Sequence, residues 1–225
     1  MARAVVLFDI DGTLIRRAGP HHRDALAQAV KAVTGLDTSL DRIPTHGSLD
    51  RDLIRAMMLE AGAPEELIAA SMLNIVDEAQ RAYAKMQPDL RRKTCPGVRN
   101  ALRRLHSARV PLGLVTGNLS AIGWKKMEHA GLLRYFRFGA FAEQAHTRAG
   151  LVTIALREAR RAGWIRHDTV VSLIGDHPND VLAAKLNGIR SVAVATGMVP
   201  RAGLVRHSPD VLLPDLRCLN LDMLL

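Results

Sequence analysis

The sequence predicts an α/β protein, a doubly wound parallel sheet with an inserted all-helical cap domain. Three observations support this class. In the second half of the chain, apolar runs rich in β-branched residues alternate with amphipathic segments of helical length, which is typical of a parallel sheet covered by helices. A similar apolar run lies near the first residue. Between the two lies a long segment with helical periodicity and no convincing strand.

Residues 5–8, VVLF, form the first predicted strand, and the sequence DIDGT follows at residues 9–13. Ligands of open α/β sheets bind outside the carboxyl ends of the strands, so chemistry is expected at this point. Residues i and i+2 of an extended chain point to the same side, which places Asp9 and Asp11 together. Two crowded carboxylates require a bound cation or a proton.

The inserted segment, residues 16–88, is the predicted helical cap, and residues 1–15 and 89–225 are the predicted α/β core. Its limits contain glycine and proline, RRAGP at 16–20 and QPD at 87–89, which predict linkers. Apolar residues recur at helical spacing in three stretches, 25–33, 54–61 and 68–79.

Strands and helices then alternate along the predicted core. The expected strands are 110–115, a weaker 135–141, 169–174, 191–195 and 211–213. The expected helices begin at Pro96, run through Trp124 to Gly131, span about 150–162, and run through Val181 to Asn187.

Composition excludes several classes of protein. The net charge is +9, but the 31 Lys and Arg residues are scattered and aromatic residues make up only 4%, so no nucleic acid is expected. Scattered positive charge fits the attraction of a small anion. Cys95 and Cys218 lie far apart without metal-ligand spacing, which argues against a disulfide framework or a zinc site.

The sequence shows neither the pattern of a membrane-spanning segment nor that of a secretory signal. No apolar run reaches the roughly 18 residues that span a membrane, so no membrane association is expected. Residues 1–4 lead directly into the first strand without a secretory pattern, and a cytoplasmic location is expected. The sequence leaves open whether the protein is a monomer or a homodimer.

Three predicted strands end in residues suited to one chemistry. Asp9 and Asp11 follow the first, Thr116-Gly117-Asn118 the second, and GDHPND at 175–180 a third. Clustered carboxylates suit Mg²⁺, which also takes water and substrate phosphate as ligands. A hydroxyl beside a glycine turn suits a phosphate, because exposed N–H groups bind anions. Together these groups indicate phosphoryl transfer.

These motifs resemble the haloacid dehalogenase superfamily of Mg²⁺-dependent aspartyl phosphatases over essentially the full length. DIDGT matches its first motif, Thr116 its second and GDHPND its fourth. The order, the spacing and residues 192–197 are similar to the phosphoglycolate phosphatase-like branch, with a helical (C1-type) cap after the first motif. GSLD at 47–50 resembles a GxTD segment of that branch, with Leu49 in place of threonine.

The resemblance implies a role for each matched residue. Asp9 would be the nucleophile that forms an aspartyl-phosphate, and Asp11 the general acid and then the base. Mg²⁺ would be held by Asp9, the backbone carbonyl of Asp11 and Asp176, with Asp180 as a ligand or an orienting group. Phosphate contacts would come from Gly12, Thr116, Gly117, Asn118 and Arg148.

The third motif departs from the family pattern. A lysine is usual there, but no lysine occurs between Lys126 and Lys185. Arg148 is the candidate replacement, because its charge and donors could hold both the phosphate and the Asp9 carboxylate. Lys185 is the second candidate, and its position in the next predicted helix makes it solvent-facing.

The expected function is hydrolysis of a small phosphate monoester, such as phosphoglycolate, by a Mg²⁺-dependent phosphatase. The expected partner is therefore a small phosphorylated metabolite. His21, His22 and His46 lie in or near the cap, where a loop facing the phosphate would select the substrate. Two alternatives stay open: a phosphosugar mutase of the same fold, and a non-catalytic phospho-ligand-binding relative, suggested by the missing lysine.

Overall fold

A computed structural model of the protein describes residues 4–16 and 18–224. Residues 1–3, the predicted linker residue Arg17 and residue 225 lie outside the described part. The described residues form a six-stranded parallel sheet in the order β3-β2-β1-β4-β5-β6. The strands are β1 (Ala4–Phe8), β2 (Leu112–Val115), β3 (Phe138–Ala140), β4 (Val170–Gly175), β5 (Arg190–Val194) and β6 (Val211–Leu213).

Helices connect the strands. They are α1 (His21–Thr34), α2 (Asp50–Glu60), α3 (Glu65–Lys85), α4 (Val98–Ser107), α5 (Ser120–His129), α6 (Arg148–Arg161), α7 (Pro178–Leu186) and α8 (Arg201–Val205), with short 3₁₀ turns at Leu133–Tyr135, Leu216–Cys218 and Leu221–Leu224. The predicted α/β fold class is confirmed. The weak strand predicted at 135–141 is shorter, because a 3₁₀ turn occupies its start.

Strand β1 lies near the centre of the sheet and is buried on both faces. Val5 and Leu7 pack into one apolar cluster, and Val6 and Phe8 into the other. All four are fully buried, and each contributes about 1.5–3 kcal/mol of hydrophobic free energy. The continuous apolar run in the sequence therefore reflects a strand covered by helices on both sides.

The chain leaves β1 for β2 and β3 on one side and crosses over to β4, β5 and β6 on the other. The order of the strands thus reverses between β1 and β4. At such a switch point the connections diverge to opposite faces and leave a crevice at the carboxyl ends of the strands, where ligands bind in doubly wound sheets. Topology alone places a binding site beyond Phe8 and Gly175.

Helices α1, α2 and α3, here called the cap helices, lie between β1 and β2 along the chain and pack together. Their buried faces include the residues predicted from helical spacing, among them Leu26, Val30, Met57 and Ile75. Residues 18–88 hold no strand within the described part of the chain. The domain limits at 16 and 88 stay a prediction.

The two chain segments that connect the cap helices to the sheet lie side by side. Ile15 forms an antiparallel bridge with Thr94, and the Arg16 amide donates to the Lys93 carbonyl at 2.9 Å. The Cys95 amide donates to the Leu14 carbonyl at 2.9 Å. The returning segment therefore supports the turn that follows β1.

Within the described residues, helices long and apolar enough to cross a membrane are lacking.

The packing of the returning segment predicts different reactivities for the two thiols. Cys95 is 3% exposed with its Sγ near the Gly12 carbonyl, and burial raises the pKa of this thiol to about 12, whereas Cys218 is exposed. Because the thiolate is the nucleophile, iodoacetamide near pH 8 should alkylate only Cys218 in the folded protein and both thiols after denaturation. Mass spectrometry of the native Cys218→Ser variant provides the control, and rapid alkylation of that variant would contradict the described packing.

Candidate active site

The carboxyl ends of three neighbouring strands bring the predicted motifs together. Asp9 follows β1, Thr116 follows β2 and Asp176 follows β4. Phe8 is in register with Leu114 and with Ile174, so the three motif residues start at the same edge of the sheet. They line a cavity of about 460 Å³, whose remaining wall includes residues of the cap helices and of the loop at 45–48.

Asp176 sits in a cradle that requires glycine. The Thr13 hydroxyl donates to Asp176 Oδ1 at 3.0 Å. Gly12 has a φ of 86°, and a Cβ there would lie 2.2 Å from Asp176 Oδ2. A Cβ on Gly197 would lie 1.6 Å from the same oxygen. The glycine of the DIDGT motif therefore leaves room for the carboxylate of another motif.

Asp9, Asp176 and Asp180, here called the acidic cluster, share one buried site. One carboxylate oxygen of each lies within 4.8 Å of the others, and all three side chains are buried. Burial together with repulsion from the neighbouring carboxylates raises the pKa of Asp9 and of Asp176, and burial raises the pKa of Asp180. Crowded carboxylates with raised pKa values are the groups that a cation would stabilise in their ionised form.

The acidic cluster fits a hard divalent cation. Asp180 Oδ2 accepts the His177 amide at 3.2 Å, whereas its Oδ1 is buried without a hydrogen-bond partner. This oxygen, which lies 3.3 Å from the Arg148 Nε and beside two further carboxylates, suits Mg²⁺, which binds carboxylate oxygen. The side chain of Asp11 lies outside this cluster, and the contribution of its backbone carbonyl stays a prediction.

Arg148 is the cation beside the acidic cluster. It is the first residue of α6, whose N-cap Thr147 accepts the Gly150 amide at 3.1 Å. Its Nη1 donates to Asp9 Oδ1 at 3.2 Å, and its Nε lies 3.3 Å from Asp180 Oδ1. The structure thus places the predicted replacement for the third-motif lysine against the predicted nucleophile.

Lys185, the second candidate, lies elsewhere. Its ammonium donates to the His207 carbonyl at 2.7 Å, and the residue is exposed, as the sequence predicted.

The predicted phosphate turn at 116–118 borders the same cavity. Asn118 Nδ2 donates to Thr116 Oγ1 and to Asp11 Oδ2, both at 2.8 Å. The Gly117 carbonyl accepts the Asp50 amide at 2.8 Å. The turn therefore joins the second motif to the first motif and to the cap helices.

Sequence reasoning missed Lys126, which holds the Asp11 carboxylate. Its Nζ lies 2.8 and 2.6 Å from the two Asp11 oxygens, and the side chain is 1% exposed. Lysine on a helix is usually solvent-facing. The available signal was spacing: Lys126 lies four residues from the buried Ile122 and four from the buried Ala130, on the inward face of α5.

The surroundings of Asp11 favour its ionised form. Partial burial opposes ionisation, but the Lys126 ammonium and the hydrogen bonds from Lys126 and Asn118 outweigh it and lower the pKa of Asp11. Asp11 therefore differs from Asp9, whose pKa is raised. The two carboxylates differ because Asp11 has the Lys126 ammonium as its partner, whereas Asp9 shares Arg148 with Asp180.

Known proteins similar to this chain were found at the levels of sequence and fold. Residues 4–188 match the family model of haloacid dehalogenase-like hydrolases. A phosphoglycolate phosphatase of Salmonella typhi is 25% identical over 222 residues, which covers 92% of this chain and 87% of the relative. A β-phosphoglucomutase from Clostridium difficile has a TM-score of 0.70 at 18% identity, covering 99% of this chain and 95% of that one.

A further solved structure, described as a predicted phosphoglycolate phosphatase from Haemophilus somnus, has a TM-score of 0.67 at 17% identity and covers 96% of each chain. At these identities the structural matches show a shared fold.

The acidic cluster predicts stabilisation by Mg²⁺ that increases with pH. An acid whose pKa is raised by folding stabilises the fold while protonated, and this contribution is lost as the pH rises through the raised value. Mg²⁺ replaces those protons, so its effect on the melting temperature should be larger near pH 7.5 than near pH 5. At 100 times the dissociation constant, a bound ion stabilises by about 2.7 kcal/mol.

Differential scanning fluorimetry with Mg²⁺ or EDTA measures this effect. Asp176→Asn should lose the Mg²⁺ shift, whereas Asp77→Asn, on the exposed side of α3, should keep it. A shift that Asp176→Asn leaves intact would place the cation elsewhere.

Proposed function

The chain belongs to the haloacid dehalogenase-like hydrolases and is a phosphatase of that family, and we propose that it is a Mg²⁺-dependent enzyme that hydrolyses a small phosphate monoester through an aspartyl-phosphate. The observation that carries the proposal is the buried Asp9 carboxylate at the floor of the cavity, paired with Arg148 and adjacent to Asp176 and Asp180. A carboxylate held in this way is positioned to attack a phosphorus atom.

In the first step, an Asp9 oxygen forms a bond to phosphorus while the bond from phosphorus to the substrate's leaving oxygen breaks. Asp11 gives a proton to that oxygen, and the alcohol leaves. Asp11 is placed for this role because its side chain is 44% exposed, although Lys126 and Asn118 fix its orientation.

In the second step, a water oxygen bonds to phosphorus, the bond to Asp9 breaks, and inorganic phosphate leaves. Asp11, ionised after the first step, accepts the proton of the water. The lowered pKa of Asp11 suits this acceptor state. The proton that Asp11 receives is the one it donates in the next cycle, so the two steps balance.

Negative charge at the reacting phosphorus needs compensation. Arg148 supplies one positive charge and directional donors beside Asp9. Asp9, Asp176 and Asp180, with the Asp11 carbonyl, would hold Mg²⁺, which when bound would neutralise charge on the phosphate and on the carboxylates. Thr116 and the turn at 117–118 would contact the phosphate from the opposite side.

The cavity supports a small anionic substrate. Its volume of about 460 Å³ is at the lower end of the range for ligand pockets. Basic side chains of Arg16, His22, Arg23, His46, Lys126 and Arg148 line it. Phosphoglycolate, which carries a carboxylate on its leaving group, matches this lining, and the curated relatives with that activity in their names support the same substrate class.

Phosphate release from a panel of monoesters tests the proposal. With Mg²⁺, the wild type should release phosphate from phosphoglycolate faster than from hexose phosphates, and EDTA should abolish release. Asp9→Asn should reduce the rate to background, because the amide cannot form the aspartyl-phosphate. Asp77→Asn is the matched control. Isomerisation of a hexose phosphate without net phosphate release would instead support a mutase.

The position of Arg148 beside Asp9 predicts a second effect on activity. Arg148→Met should lower kcat/KM by about 10²–10³-fold, because a charge-assisted donor beside the reacting groups is lost. Arg148→Lys should recover part of the loss, since it keeps the charge but not the planar donor geometry. Arg157→Met, an exposed substitution on the same helix, is the control. Steady-state kinetics at a temperature where circular dichroism shows each variant folded measures the effect, and full activity of Arg148→Met would contradict the assigned role.

A further inference from the structure

The Lys126 ammonium connects Asp11 to the cap helices. Its three hydrogens face three acceptors: the two Asp11 oxygens at 2.8 and 2.6 Å, and His22 Nδ1 at 3.1 Å. Because an ammonium group can only donate, the Nδ1 atom must accept. The buried charge of Lys126 is thus satisfied by one group of the first motif and one of α1.

His22 is fixed from its other side. Its Nε2 lies 2.9 Å from Asp50 Oδ2, and a carboxylate can only accept, so Nε2 carries the hydrogen and the neutral imidazole satisfies both neighbours. Asp50 is 2% exposed, and the same oxygen accepts the Leu119 amide at 2.8 Å. Asp11, Lys126, His22 and Asp50 form one chain of hydrogen bonds, here called the lysine network.

The cap helices also position the helix that carries Lys126. The first N–H groups of a helix need acceptors. At the start of α5, the Leu119 amide donates to Asp50 and the Ala121 amide donates to Gln80 Oε1 at 2.8 Å. The Ser120 amide donates to Glu143 of the core. Two of the three acceptors thus come from α2 and α3.

Stability does not explain a lysine at this position. Ile122 and Ala130 flank it on the buried face of α5, and an apolar residue of similar volume usually fills a buried site at equal or lower free energy than an ion pair. The charge is directed at Asp11, the residue that must face the leaving oxygen. Fixing that carboxylate is therefore the function that the geometry supports.

We propose that Lys126 is a positioning residue that orients Asp11 toward the leaving group, and that the cap helices set the place of Lys126 through His22 and Asp50. The inference rests on the proposed function, because it assigns a task within the same reaction. It predicts that the decrease in kcat/KM of a Lys126 variant is larger for a substrate whose leaving group needs a proton.

Two substrates separate proton donation from the other parts of the reaction. Phosphoglycolate releases glycolate, whose alkoxide oxygen needs the Asp11 proton, whereas p-nitrophenyl phosphate releases p-nitrophenolate, a stable anion that leaves without one. For Lys126→Met, kcat/KM for phosphoglycolate should fall about 10–100-fold with little change in KM, whereas the stopped-flow burst of p-nitrophenolate should keep its rate. Lys125→Met, the same change at the neighbouring, partly exposed lysine, whose ammonium pairs with Glu128, should affect neither.

A double variant tests whether Lys126 acts through Asp11. If it does, Asp11→Asn with Lys126→Met should be no slower on phosphoglycolate than Asp11→Asn alone, because residues acting as one unit are not additive. Multiplied losses in the double variant, or equal losses on both substrates for Lys126→Met, would overturn the proposal. The burst also shows that the variant is folded.

His22→Phe tests the contribution of the cap helices without removing Lys126. It deletes the acceptor but keeps a ring for the edge contact with Tyr83, whose centroid lies 6.2 Å from that of His22. We expect kcat/KM of His22→Phe to fall less than that of Lys126→Met, with the same dependence on the leaving group. Wild-type rates in His22→Phe would show that the cap helices do not position Lys126. If the wild-type protein released no phosphate from either substrate, the proposed function itself would be wrong. If the wild type were active and the variants lost rate equally on both substrates, only the inference about Lys126 would be wrong.

Discussion

Repulsion among three buried carboxylates is the constraint on which this site depends. With oxygens within 4.8 Å of one another, each ionised pair of the acidic cluster costs roughly 3–4 kcal/mol at an effective dielectric constant of about 20. Arg148 offsets one of the three negative charges, which leaves a formal charge of −2. A divalent cation matches that remainder.

The sheet makes this crowding possible by holding its backbone rigid. Asp9 is pinned by its amide, which donates to the Ile174 carbonyl at 3.0 Å across the β1–β4 pair. The turn behind it is closed by Thr196, whose hydroxyl donates to the Gly12 carbonyl at 2.6 Å. Residues of three strands, β1, β4 and β5, or of the turns that follow them, are therefore joined by these hydrogen bonds. A carboxylate placed by such a framework cannot move away from its neighbours, so its negative charge is relieved by a proton or by a bound cation.

Most of the fold and the floor of the site followed from the sequence because their signals are local. A strand buried on both faces appears as an apolar run, and each motif directly follows such a run, so 5–13 and 169–180 could be placed from spacing alone. Strand β3 could not be bounded, because three residues are too few to show a period. Lys126 was missed for a different reason. Its partners Asp11 and His22 lie 115 and 104 residues away, and only the tertiary structure brings α5, the turn after β1 and α1 together.

Polar contacts join the cap helices to the core alongside an apolar cluster that contains residues of both, among them Leu53 and Tyr83 of the cap helices and Leu119 and Ile122 of the core. The Asp50 amide bonds to Gly117, Asn179 Nδ2 donates to the Gly47 carbonyl at 3.0 Å, and Gln80 caps α5. Each such bond is worth only about 1 kcal/mol net, because both partners bond to water when they separate. The side chains of the acidic cluster are buried, so water does not replace their contacts in the same way. The sheet edge therefore holds the acidic cluster, whereas the wall that the cap helices add, including the His22 acceptor for Lys126, is attached by apolar packing together with hydrogen bonds that water can replace.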